Sequence, residues 1–101
     1  YQLSHLHVLL GRIYEGCAQI DEAIEHYCIG LDYFTNSHEI FNLARVWTNL
    51  GVAYVKREEL GKAAQYFIKA LRVQSALGDR FGFALTKHNY DLLPESFQLM
   101  E

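Results

Sequence analysis

One arrangement of large and small side chains recurs in this sequence at a spacing of 40 residues, and that leaves few folds open. Downstream of Trp47 stand Leu50, Gly51, Tyr54, Ala63, Phe67 and Leu71; 40 residues earlier stand Leu10, Gly11, Tyr14, Ala23, Tyr27 and Leu31. A partial third copy follows, with Phe81, Ala84 and Asn89 at the places of Phe41, Ala44 and Asn49. Within each copy the apolar residues fall at helical spacing, as Leu6, Leu9, Leu10, Ile13 and Tyr14 do in the first. The fold class is therefore all-α, built from antiparallel helix pairs, about two and a half repeats in number. Each pair leaves an apolar side open until the next pair stacks on it.

The spacing and the turn residues predict helices over about 3–16, 20–34, 39–57, 60–77 and 80–93. Turns are expected at Cys17–Gln19, Thr35–His38, Glu58–Glu59 and Gly78–Asp79, where Gly78 closes one helix and Asp79 caps the next. Pro94 breaks the third copy, and a short helical turn is expected within 95–100. Gly11 and Gly51 lie inside predicted helices, where glycine costs roughly 1 kcal/mol against alanine. The same choice in both copies points to a neighbouring helix crossing at close range. The chain reads as one domain, with repeat 1 at about 4–38, repeat 2 at about 39–78 and a partial repeat 3 at about 79–101. It does not begin with Met, and the expectation is a portion of a longer protein.

Composition excludes several functions. Half of the 101 residues are hydrophobic and 21% are charged, so a core can form and disorder is not expected. A net charge of −3 and a pI near 5.9 lack the basic footprint of a direct nucleic-acid binder. No apolar run approaches a membrane span, and no basic segment followed by an apolar stretch marks a signal peptide. Cys17 and Cys28 are too few for a disulfide framework and read as two buried free thiols on adjacent helices, in keeping with a cytoplasmic location. His5 and His7 point to different helix faces, and His26, His38 and His88 have no Cys or carboxylate partner at ligand spacing. No serine sits in a glycine-rich elbow and no phosphate-cradling loop occurs. Catalysis, a metal and a cofactor are thus not expected.

The run Trp47-x2-Leu50-Gly51-x2-Tyr54, followed by Ala63-x3-Phe67, resembles the tetratricopeptide repeat family. The likeness covers about residues 4–93, and the 40-residue period is similar to the longer-helix arrays of kinesin light chains and bacterial peptide-sensing regulators. The resemblance implies a right-handed superhelix whose first helix in each pair lines a concave groove for peptides. Three departures stand out: His7 replaces a Trp, Gly30 replaces an Ala, and Asp91 and Pro94 replace the Gly and Tyr of the third copy.

By that geometry the groove presents Arg12 from the first helix, Arg45, Asn49 and Lys56 from the third, and His88 and Asn89 from the fifth. Asn49 and Asn89 hold one repeat position, and an amide both donates to and accepts from a peptide backbone. Their alternative role is to bond a neighbouring helix. The cations Arg12, Arg45 and Lys56 favour an acidic peptide or a free carboxylate, unless they form an ordinary solvated face. The carboxylate pattern of chaperone-binding members is not met, since Val8 stands where its first Lys belongs. The leading expectation is a protein- or peptide-binding adaptor. The alternatives are homo-oligomerisation through the C-terminal repeat, where Phe81, Phe83, Leu92, Leu93, Phe97 and Leu99 lack a covering helix, or a sensor segment of a larger signalling or transcription regulator.

Overall fold

Each helix after the first begins at a multiple of 20. A computed structural model describes the backbone of residues 2–98 and the side chains of residues 5–98. It contains α1 (Gln2–Gly16), α2 (Ile20–Asn36), α3 (Ile40–Lys56), α4 (Leu60–Leu77) and α5 (Arg80–Asp91), then a 3-10 turn at Glu95–Phe97. The turns explain the period. Ala18, His38, Glu58 and Gly78 all take left-handed backbone, with φ of 63°, 59°, 64° and 70°. The next residue's N–H then closes each helix end: Gln19 donates to the carbonyl of Tyr14 (2.9 Å), Glu39 to Phe34 (3.0 Å), Glu59 to Tyr54 (2.9 Å) and Asp79 to Gln74 (2.9 Å). Asp79 also accepts from Gly82 N (3.0 Å), the side-chain N-cap expected there.

Such short turns make successive helices antiparallel neighbours, α1 on α2, α2 on α3, α3 on α4 and α4 on α5. The two interior glycines set the tightest approaches. A Cβ on Gly11 would stand 2.6 Å from Tyr27 Cδ1, and one on Gly51 2.6 Å from Phe67 Cδ1, so each aromatic ring occupies the space a Cβ would need. Ala23, Ala53, Ala63 and Ala64 are fully buried beside Tyr27, Phe34, Leu50, Phe67 and Leu71. Each large side chain buried this way contributes roughly 1.5–3 kcal/mol. The repeats also share an aromatic pair: Tyr14 stacks on His26 (5.2 Å, 4°) as Tyr54 stacks on Tyr66 (5.5 Å, 4°).

Two expectations are corrected. Cys17 is not a buried helical thiol; it lies exposed in the first turn, and only Cys28 is half-buried, where burial and then Asp32 push its thiol up. The C-terminal apolar residues are not uniformly uncovered. Leu93 is buried and Phe97 packs against the core, because the 3-10 turn folds back and Gln98 Nε2 donates to the Leu93 carbonyl (2.8 Å). Phe81 and Leu92 do stay 71% exposed, while Leu99 lies outside the described residues. His7 and His26 do find each other, Nδ1 to Nδ1 at 3.0 Å, with one ring donating to the other. Among the described residues no three His, Cys, Asp or Glu side chains gather as metal ligands, and no helix is long and apolar enough to cross a membrane.

Candidate functional site

Antiparallel pairing puts α1, α3 and α5 on one side of the molecule, and between them lies a groove of about 400 Å³. Its walls are His5, Val8, Leu9 and Arg12 from α1, Asn42, Arg45 and Asn49 from α3, and Phe81 and Leu85 from α5. Phe34 of α2 and Gln74 of α4 reach through to the floor. Among the described residues no carboxylate lines it, although the chain carries 12 acidic residues against 9 Lys and Arg. The Arg12 and Arg45 guanidiniums are exposed and make no ion pair with a described residue. Arg45 lies over the Phe41 ring at 5.1 Å, which orients its fork without using its donors on a carboxylate. Arginine presents that fork to carboxylates two bonds at a time. Leu9, Phe81 and Leu85, each about half exposed or more, add apolar surface beside the two charges.

The floor toward α5 is polar. Thr48, Gln74 and Thr86 are buried and lie in one chain of hydrogen bonds. With its amide nitrogen toward α5, Gln74 donates to Thr86 Oγ1 (2.9 Å) and Gly82 O (3.2 Å). The Thr86 and Thr48 hydroxyls are 2.7 Å apart, and Thr48 donates to the Ala44 carbonyl (3.2 Å). The hydroxyl protons can run in one consistent direction: Gln74 to Thr86, Thr86 to Thr48, Thr48 to Ala44. This buried chain of hydrogen bonds ties together the helices it joins, here α3, α4 and α5.

The structure brings together three of the six residues singled out from sequence. Arg12, Arg45 and Asn49 line the groove. Asn49 is half-buried, and its amide makes no hydrogen bond to another described residue. Lys56 does not line it. Its ammonium binds Glu15 Oε2 (2.9 Å), and the other oxygen of Glu15 accepts from the Tyr27 hydroxyl (3.0 Å), so Lys56 ties α3 to α1 and α2. His88 and Asn89 do not line it either, since α5 contributes only its first half, through Thr86. Asn49 is enclosed because α5 stands beside it; Asn89 has no further helix beside it among the described residues.

Sequence reasoning turned Thr48 toward the groove and Gln74 toward the partner helices but did not read their hydrogen-bonded link to Thr86, although a signal existed. Gln74 stands 40 residues after Phe34 and Thr86 40 after Val46, so two apolar positions of the first interface become polar together in the second. Among known families, the sequence model described as Tetratricopeptide repeat matches residues 4–32 and 44–77, together more than half of the chain. No curated protein and no solved structure gives a significant match.

Proposed function

Because the chain belongs to the tetratricopeptide repeat family, a non-catalytic module that generally mediates protein–protein contacts, we propose that its groove captures an acidic peptide segment of a partner protein. The carrying observation is the lining itself: two guanidiniums without carboxylate partners, an amide, and a strip of exposed apolar surface, in a chain that is acidic overall. A ligand carboxylate set between Arg12 and Arg45 would take charge-assisted hydrogen bonds, with Asn49 bonding the peptide backbone. An apolar ligand side chain would lie on Leu9, Phe81 and Leu85. The reading involves no chemistry, cofactor or metal, and it suits a cytoplasmic adaptor. The 40-residue period is the ground for grouping the chain with the longer-helix arrays of kinesin-light-chain and peptide-sensor type.

Fluorescence anisotropy tests this with two labelled peptides that share apolar residues and differ only in carrying Asp/Glu or Lys. The acidic peptide should bind and the basic one should not. Arg12→Glu with Arg45→Glu should weaken binding at least about tenfold, the scale of losing one or more charge-assisted bonds. Lys56→Ala should leave affinity within about threefold, since its ammonium serves Glu15. Equal binding of both peptides, or indifference to the arginine pair, would sink the proposal.

A further inference from the structure

The outward faces of α2 and α4 occupy equivalent places in the two repeats and carry opposite charge. The sequence of α2 contains Asp21, Glu22, Glu25 and Asp32 and no Lys or Arg; that of α4 contains Lys62, Lys69 and Arg72 and no Asp or Glu. Residues 40 apart reverse sign directly, Glu22 against Lys62 and Asp32 against Arg72, and all four side chains are exposed. Glu22, Glu25, Asp32 and Arg72 make no ion pair with a described residue. Lys62 reaches Glu59 at 3.7 Å and rests over the Tyr54 ring at 5.3 Å, and Lys69 rests over the Trp47 and Tyr66 rings at 5.6 and 5.8 Å. Two helices that both pack on α3 therefore present stripes of opposite sign to solvent, largely without ion-pair partners within the chain.

We propose that two copies of this chain pair through these faces, α2 of each copy against α4 of the other. The repeat supplies the register. The alternation of antiparallel helices makes α2 and α4 run in the same sense, and equivalent residues sit at the same position of each helix. A twofold axis parallel to these helices, passing between them in the interface, places Glu22 of one copy beside Lys62 of the other and Asp32 beside Arg72. The symmetry makes each pair occur twice. A twofold axis across the helices would instead lay α2 on α2 and α4 on α4, setting like charges together. Charge thus selects one arrangement and rejects the other. The groove lies between α1, α3 and α5, so this pairing leaves both grooves open. Exposed ion pairs are individually weak and screened by salt, which makes the dimer weak and dependent on ionic strength.

Sedimentation equilibrium at low and high salt tests the pairing, with circular dichroism to confirm that every variant is folded. The unmodified chain should gain mass with concentration at low salt and return to monomer at high salt. Glu22→Lys with Asp32→Arg should weaken dimerisation at least about tenfold, as should Lys62→Glu with Arg72→Glu. Mixing those two variants should restore a dimer, because each copy then offers two faces of one sign. The fourfold swap, Glu22→Lys, Asp32→Arg, Lys62→Glu and Arg72→Glu, keeps the net charge and should dimerise alone. A monomer at low salt, or a swapped chain that stays monomeric, overturns the proposal. So does an association indifferent to salt and to the reversals but abolished by Leu92→Glu, which would locate the contact at the exposed end of α5.

Discussion

Gly51→Ala should destabilise this protein although alanine is the better helix former. The substitution removes glycine's helix penalty of roughly 1 kcal/mol. It also places a methyl group 2.6 Å from Phe67 Cδ1, most of an ångström short of ordinary van der Waals contact. Phe67 is fully buried, so its ring has no free volume to enter, and the strain passes to the α3–α4 crossing. Overpacking of this kind costs about 1–3 kcal/mol. The net expectation is a loss of up to roughly 2 kcal/mol, centred on about 1, lowering the melting temperature by about 4–8 °C per kcal/mol in a domain of this size. Gly61→Ala is the control, because nothing lies within 4 Å of a Cβ there, and it should raise stability by up to about 1 kcal/mol. Urea unfolding of both variants reads the difference. In the double variant Gly51→Ala, Phe67→Leu, the two losses should add to less than their sum by at least about 0.5 kcal/mol, since leucine withdraws the ring atoms that clash. A neutral or stabilising Gly51→Ala, or strict additivity with Phe67→Leu, would refute the claim that the glycine exists to admit the ring.

Other consequences follow from the same contacts. Thr86→Val strands the Gln74 amide and should cost about 1–3 kcal/mol in urea unfolding, whereas Gln74→Phe with Thr86→Val recreates the Phe34–Val46 pairing of the first repeat and should recover most of that loss. Gly78→Ala should cost about 1 kcal/mol and Glu58→Gly gain up to as much, because both positions hold left-handed backbone; calorimetry separates the two signs. Burial, then the charge of Glu15 and the bond to it, push the Tyr27 hydroxyl far above tyrosine's ordinary value of 10. Above pH 10 the unfolded chain loses that proton while the folded chain keeps it, so stability falls with rising pH by up to about 1.4 kcal/mol per unit, and below pH 10 Tyr27 adds no slope. Tyr27→Phe should flatten the alkaline limb of a pH series of urea midpoints, and an unchanged slope would count against the assignment.

The helices were legible because their causes are local. Residues 18, 38, 58 and 78 end each helix by turning left-handed, and the apolar spacing between them marks the buried stripe. The approach at Gly11 and Gly51 was legible too, since a costly residue chosen twice needs a packing reason. Arg12, Arg45 and Asn49 could be assigned to the groove because position on a helix face follows from the repeat. Lys56 could not be assigned the same way. Its fate depends on Glu15, 41 residues distant, and a long flexible cation goes to the nearest partly buried carboxylate rather than to the face its Cα suggests. His88 and Asn89 failed for another reason: a face is set by one helix, but a groove needs two walls.

The two repeats agree wherever backbone must approach backbone and differ wherever a surface can carry a distinct role. Gly11 and Gly51, Ala23 and Ala63, Tyr14 and Tyr54 are kept, because a changed volume there would open or jam a helix crossing. Phe34 and Val46 become Gln74 and Thr86 as a pair, since a lone polar replacement in that buried interface would have left an unsatisfied group. That swap makes the groove floor polar toward α5, next to the wall that carries Arg45 and Asn49. Glu22 and Asp32 become Lys62 and Arg72 on the opposite side, where solvent tolerates either sign and internal packing gives no reason for the reversal. A reversal at matched heights on α2 and α4 costs the fold nothing and creates a surface complementary to its own twofold image, so the proposed pairing would use a face away from the groove between α1, α3 and α5.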